Sequence, residues 1–286
     1  MGLQENDIVT KRALCYGMLL PSGNDAANAS AVAVAGSIPA FAELMNQRAK
    51  EIGMTRTCFV TPSGLEGTGH GASAHDMALL TREALRNEIF RSICCLAQAK
   101  VRFGNPPYER TLYNSNKLLR MYEGVIGVKT GFTDEAGRCL VSACERDGIT
   151  LICITLNDPD DWNDHMKLYD YGFSQVIPMT LEIPDAEQKL IGSTQDSVRL
   201  RIETPVTIGV RSQDVSKIHY QLRLSPFAYA PVKDGEELGT LEYYFEDKKI
   251  RSVPLLADGA ADVRERPQKN KFAEYLDHLR NILKTA

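Results

Sequence analysis

The chain has 286 residues, 43% hydrophobic and 24% charged, an ordinary globular composition with length for one large domain or two smaller ones. A net charge of -4 and a pI near 5.8 argue against a phosphate-binding surface, so no nucleic-acid partner is expected; small molecules or a peptide fit better. Seven cysteines without dense spacing do not form a disulfide framework, and Cys94-Cys95 and Cys139…Cys144 lack the Cys-x-x-Cys form of a zinc or redox site, so mostly buried thiols are expected.

The opening MGLQENDIVTKR has no apolar core flanked by a cleavage site, so the chain as it stands is expected to carry no export signal, and no later stretch has the length of a membrane span. Leu14 to Leu20, then Pro21-Ser22-Gly23-Asn24, then the alanine-rich run from Asp25 to Ala35 predict helix, tight turn, helix. Ser37 as a cap, Pro39 in the first turn, and Phe41, Leu44, Met45, Ala49 and Ile52 before Gly53 predict an amphipathic helix. Cys58 to Gly71 reads as a loop. Ser73-Ala74-His75-Asp76 resembles a capping box that opens a helix with Met77, Leu80, Ala84 and Leu85 inward.

From Val125 the pattern turns to strands: a β-branched run through Val128, a second strand around Cys139 to Ala143 and a third from Ile149 to Leu156, with Asp147-Gly148 as a hairpin turn. His165 to Tyr171 predicts a helix that stops at Gly172. Beyond Leu181, Val198, Leu200 and Ile202 alternate, as do Ile218, Tyr220, Leu222 and Leu224, with Asp234-Gly235 as a further turn, predicting a small all-β domain. Lys271 to Lys284 places Phe272, Tyr275, Leu276, Leu279, Ile282 and Leu283 on one helical face. Such a basic amphipathic helix lies on a membrane surface or docks on protein, and both alternatives stand.

Two short motifs carry chemistry. Lys129-Thr130-Gly131 falls at a strand end, and the hairpin after it would leave this strand at a sheet edge. Free backbone groups there pair with an extended peptide by strand addition, and Gly131 lets its backbone come close. The Lys129 ammonium and Thr130 hydroxyl would face a substrate carboxylate, and the Phe132 N–H would serve as an oxyanion donor. Ser22-Gly23-Asn24 puts a hydroxyl and an amide on one turn, able to relay a proton and orient a carbonyl. The competing reading of that tripeptide is helix capping.

Ser-x-Asn followed by Lys-Thr-Gly is the pattern of the penicillin-recognising serine enzymes, whose nucleophile lies in Ser-x-x-Lys. LLPSGNDAA at 19–27, TPSGL at 61–65, NSNKLL at 114–119, GVKTGFTDEAGRCLVSA at 127–143, YDYGF at 169–173 and APVKDGEELGTL at 230–241 resemble a low-molecular-mass penicillin-binding protein, a serine-type D-alanyl-D-alanine carboxypeptidase of the peptidase S11 type. The resemblance implies an α/β (α+β) fold: a β-lactamase/transpeptidase-like domain over 1–178, N-terminally incomplete, a small all-β domain over 179–267 and an amphipathic tail over 268–286. It implies acylation by a peptidoglycan stem peptide ending in D-Ala-D-Ala, release of D-alanine, β-lactams as substrate mimics, an extracytoplasmic location in the cell envelope, and no metal or cofactor. Ser22, Asn24 and Lys129 are the expected catalytic residues, and Lys129, Thr130, Gly131 and Phe132 the expected substrate-binding ones.

The chain departs from the family in two places. None of its fifteen serines is followed three residues later by lysine, and only twenty-one residues precede Ser22, so the Ser-x-x-Lys segment is expected to be missing and the chain inactive alone. A binding protein that keeps peptide recognition without chemistry is the alternative. Where some relatives carry an arginine after the central strands, this chain has Asp160-Asp161-Trp162-Asn163, which puts carboxylate binding by that route in doubt. Trp162 fits core packing better than stacking on a substrate. His70 and His75 lack the helical spacing of a metal pair.

Overall fold

The computed structural model describes residues 1–265 together with Tyr275, Leu276 and Arg280. Two compact units emerge: the first takes Met1–Met179 with Ile208–Arg211, the second Thr180–Thr207 with the chain from Ser212 onward. The tail helix expected over Lys271–Lys284 falls, apart from those three residues, outside the described part.

The first unit begins with α1 (Lys11–Leu19), which Thr10 caps by accepting from the Ala13 N–H, and α2 (Asn24–Ala35). In α3 (Ile38–Glu51), Ser37 caps by accepting from Ala40 N, as its sequence predicts. The inward stripe differs, however. Ala42 and Ala49 are buried while Leu44 is 47% exposed, because α3 packs against α2 through small side chains. In α4 (Ala74–Ala84), Ser73 accepts from the Asp76 N–H. Asp76 is buried and accepts in turn from Arg56 N and the Thr57 hydroxyl, so the cap also ties down the preceding loop.

After α5 (Glu88–Cys94) comes an antiparallel hairpin, β1 (Gln98–Gly104) and β2 (Pro107–Tyr113), which no alternation or glycine turn in the sequence marks. It completes a core of Ala13, Leu20, Ile93, Val101, Phe103 and Leu112, so α1 and α5 rest on a ribbon. The short α6 (Leu118–Met121) leads into an antiparallel sheet of β3 (Val125–Thr133), β4 (Gly137–Arg146) and β5 (Ile149–Thr155), with β3 at its edge. Asp147 and Gly148 both have positive φ, the geometry expected of their hairpin turn.

Val128, Val141 and Ala143 gather Met77, Leu85 and Phe90 around them. Cys144 and Cys153 pack with Tyr169 of α7 (Asp161–Gln175). That helix starts four residues before the expected His165 and runs through Gly172. A Cβ on Gly172 would lie 2.9 Å from Leu151 Cδ1, so this glycine serves close packing on β5 rather than a helix stop. The Ser142 hydroxyl is 2.6 Å from His165 Nδ1 and 2.5 Å from the Tyr169 hydroxyl, and Thr155 Oγ1 lies 3.1 Å from His165 Nε2. This buried polar network bolts α7 to the sheet. Of the seven cysteines, Cys94, Cys144 and Cys153 are buried, Cys15 and Cys139 half-buried, and Cys58 and Cys95 exposed, fewer buried than expected.

The remaining strands are β6 (Ile177–Thr180), β7 (Glu187–Ile191), β8 (Ser197–Arg201), β9 (Thr207–Val210), β10 (Ile218–Leu224), β11 (Ala228–Tyr229), β12 (Glu237–Phe245) and β13 (Lys248–Ala257). β6 pairs with β9, and the other six form one sheet in the order β10-β12-β13-β8-β7-β11. Val198 and Leu200 are buried as their alternation predicts. Tyr220 and Leu222 are each 37% exposed instead, because β10 is the edge strand and only β12 flanks it.

Candidate active site

Ser22 sits on the turn between α1 and α2 with φ +58, a left-handed conformation that costs a non-glycine residue energy and is found at functional sites more than elsewhere. Its side chain is not a cap: the N-cap of α2 is Gly23, without a side-chain cap hydrogen bond, and Asn24 is the first helical residue. The capping reading of Ser22-Gly23-Asn24 is thereby excluded. Asn24 is exposed and its side chain makes no hydrogen bond among the described residues.

Lys129 lies within β3, which continues to Thr133, rather than at the strand's end as expected. Its Nζ donates to Ser22 Oγ at 2.6 Å and to the Thr130 carbonyl at 2.6 Å. Two motifs 107 residues apart thus meet through their side chains. Burial of Lys129 lowers its pKa from 10.5 to about 8, because the surroundings disfavour the charged form. An amine so poised can hold or release a proton near neutral pH, next to a hydroxyl able to pass it on.

Thr130 Oγ1 is 2.6 Å from the Ser115 hydroxyl. Ser115 was not singled out from sequence beyond its place in NSNKLL, yet it touches both halves of the site: its N–H donates to the Leu20 carbonyl at 3.0 Å, just ahead of the Ser22 turn. Its neighbours hold it there. Asn114 Nδ2 donates to the carbonyls of Cys94 and Leu96, Asn114 Oδ1 accepts from Asn116 N, and Asn116 Oδ1 accepts from Leu118 N.

Gly131 and Phe132 are exposed, Phe132 to 68%, and among the described residues β3 pairs only with β4. The backbone edge needed for strand addition is therefore present. Opposite Phe132 in the register stands Arg138, whose Nη2 donates to the buried Asp161 at 2.6 Å and whose guanidinium lies 5.4 Å above the Trp162 ring. The Asp161-Trp162 pair thus holds an arginine of β4, and Trp162, half-buried, is its platform. Among the described residues, no three His, Cys, Asp or Glu side chains gather closely enough to hold a metal ion.

The Ser22 hydroxyl and the low-pKa amine of Lys129 thus lie together at an edge strand. Residues 1–160 match the family described as D-alanyl-D-alanine carboxypeptidase, peptidase S11, and the chain belongs to that family. Residues 181–262 match the C-terminal domain of penicillin-binding protein 5. The chain is 30% identical to D-alanyl-D-alanine carboxypeptidase DacF of Bacillus subtilis over 262 residues, 89% of this chain and 67% of the relative. It is 31% identical to DacC of Escherichia coli over 90% of this chain and 65% of that one, so it spans about two thirds of the length of these curated relatives. Among solved structures, D-alanyl-D-alanine carboxypeptidase DacD of Francisella tularensis aligns with a TM-score of 0.57 at 26% identity, covering 90% of this chain and 76% of that one.

Proposed function

We propose that this chain carries the substrate-orienting half of a D-alanyl-D-alanine carboxypeptidase that trims peptidoglycan stem peptides in the cell envelope through a serine acyl-enzyme. The observation that carries the reading is the 2.6 Å contact between Lys129 Nζ and Ser22 Oγ. A stem peptide adds as a strand along β3, its terminal carboxylate beside Lys129 and Thr130 and its scissile carbonyl toward the Phe132 N–H. Ser22 and Lys129 move the proton that reaches the leaving D-alanine, and Asn24 orients the peptide. β-Lactams enter by the same edge. The first compact unit serves as the catalytic domain and the β-rich second unit as an accessory domain.

The 286 residues hold no Ser-x-x-Lys, so this polypeptide alone recognises the peptide without being acylated by it. The test has two arms. Amide shifts of Thr130 to Thr133 in nuclear magnetic resonance spectra should move on titration with an acylated peptide ending in D-Ala-D-Ala and not with its C-terminal amide; absence of any shift overturns the recognition reading. Incubation of the pure chain with a fluorescent penicillin should leave no covalent label, and stable labelling overturns the claim of inactivity. The alternative, a peptide binder without chemistry, shares the first result. A Ser-x-x-Lys encoded in frame upstream of Met1 would decide against it.

A further inference from the structure

Asp25 follows the Ser22-Gly23-Asn24 turn directly, in the first turn of α2. Its Oδ1 accepts from the Met1 nitrogen and from Ala26 N, both at 2.8 Å, and its Oδ2 accepts from Gly2 N at 2.7 Å and Leu3 N at 2.8 Å. Burial raises the pKa of this carboxyl, but the bonds from Met1, Leu3 and Ala26 outweigh burial and hold it well below the usual carboxylate range. An acid at a helix start needs no such distant donors, since the helix N-terminus alone favours a carboxylate. Here three of the four donors come from 22 to 24 residues upstream.

The segment they belong to is a strap across the turn. A Cβ built on Gly23 would lie 2.7 Å from both Asp25 Oδ1 and Met1 N, so only glycine leaves room for strap and carboxylate together. Gly23 N donates to the Gly17 carbonyl at 2.8 Å, which closes the turn onto α1. On its other side the strap is anchored to the β1–β2 hairpin. Arg110 Nη1 donates to the Gly2 carbonyl at 3.1 Å, with its guanidinium 4.1 Å from the centre of the Phe103 ring and 4.3 Å from that of Tyr108, and Gly104 N donates to the Ile8 carbonyl at 3.2 Å. Asp25 ties the turn to that anchor. Ser22, at φ +58, is a residue that needs such support, because a strained conformation persists only where its surroundings over-determine it.

We propose that Asp25 is a positioning residue for the reaction: by clamping the Gly2 and Leu3 backbone around the turn, it fixes Ser22 Oγ against Lys129 Nζ and keeps water from the amine. The inference rests on the reading of Ser22 and Lys129 as the proton-transferring pair. Asp25 acts through Ser22, and among the described residues it makes no hydrogen bond to Lys129 itself. The Gly2 and Leu3 donors are backbone amides, so the clamp depends on the path of the strap and not on its side chains.

The test follows the Lys129 amine by nuclear magnetic resonance of the 286-residue chain carrying isotopically labelled lysine, its signal assigned by its loss in Lys129→Met. The wild type should titrate with a midpoint of about 8, where burial puts it. Asp25→Asn leaves one acceptor oxygen in place of two, releases the turn and lets water reach the amine, so the midpoint should rise by about one pH unit, a tenfold gain in proton affinity. Asp25→Ser is the milder variant, with a hydroxyl suited to a helix start, and should move the midpoint in the same direction. Asp76→Asn weakens a comparable clamp at the start of α4, where the carboxylate accepts from Arg56 N and the Thr57 hydroxyl; it should lower the melting temperature and leave the Lys129 midpoint as in the wild type. An unchanged midpoint in the folded Asp25 variants overturns the clamp and leaves the Ser22–Lys129 pair intact. An equal rise in Asp76→Asn also overturns it, because general loosening would then account for both. A wild-type midpoint at the ordinary 10.5 overturns the pair, and the clamp with it.

Discussion

Replacing Lys129 with methionine separates the electrostatic cost of this amine from its packing, because methionine is similarly long and unbranched but does not titrate. In the folded chain burial lowers the Lys129 pKa from 10.5 to about 8. At about 1.36 kcal/mol per pH unit the fall corresponds to roughly 3.4 kcal/mol, an upper bound. Lys129 is only half-buried, so water screens part of it and about 2 kcal/mol is the working figure. The sign follows from proton counting. Below pH 8 both states hold the proton and the fold bears the whole penalty. Between pH 8 and 10.5 the folded state has released it while the unfolded chain keeps it, so stability rises with pH and levels off above 10.5. Urea denaturation at pH 7.5 and at pH 10 should therefore show the wild-type chain gaining about 2 kcal/mol relative to Lys129→Met, the tyrosine and cysteine ionisations common to both cancelling in the difference. A difference that stays constant over that range would refute the burial argument and, with it, the assignment of Lys129 as an amine poised near neutral pH.

The buried His165 gives the same sign in a lower window. Burial lowers its pKa to about 4, so its contribution to stability is present above pH 6.5 and is lost as pH falls toward 4; urea denaturation at pH 7 and 4.5 should show about 2 kcal/mol more acid sensitivity in the wild type than in His165→Gln. Gly131→Ala is expected to fold normally, since the new Cβ would meet Cys139 Cβ at an ordinary 3.6 Å, yet to weaken binding of a D-Ala-D-Ala peptide at least about 10-fold by keeping its backbone off the edge of β3. An affinity as in the wild type would count against strand addition. Gly124→Ala should lower thermal stability by about 2–4 kcal/mol, because its Cβ would come within 2.6 Å of the Glu145 carbonyl at a residue with φ +86. A melt unchanged from the wild type would show that the backbone there yields freely.

Local chemistry made much of the fold readable. The Ser37 and Ser73 caps, the Asp147-Gly148 turn and the strands around it depend on neighbours a few residues away, and there the sequence and the structure agree. Burial was less readable. Leu44 on α3 and Tyr220 and Leu222 on β10 have the right period but little to pack against, since a periodic stripe says which face is apolar and not how much partner surface meets it. The β1–β2 hairpin carries few β-branched residues, and its turn runs through Asn105-Pro106 rather than a glycine pair, so neither usual signal marks it. Gly172 looked like a stop because glycine often ends helices; here the tertiary approach of Leu151 determined its place.

The same division between local and long-range information runs through the site. Ser22 and Lys129 were recognisable because each belongs to a tripeptide whose chemistry can be stated without knowing the fold. What brings them within 2.6 Å of each other is the segment 114–116, and no residue in it has a catalytic side chain of its own. Asn114 anchors that segment to the carbonyls of Cys94 and Leu96, and Ser115 joins Leu20 by its backbone and Thr130 by its hydroxyl. Asparagine and serine in a connecting stretch read as turn formers, and turn formation is part of what they do here, since Asn114 and Asn116 each accept from the N–H two residues ahead. Their other bonds go to groups 15 to 20 residues away for side chains and further for the Ser115 N–H, partners that only the folded chain supplies. The site is thus a three-part assembly in which Ser115 bridges the two motifs, and the alignment of Ser22 with Lys129 is a property of the folded protein before any peptide arrives.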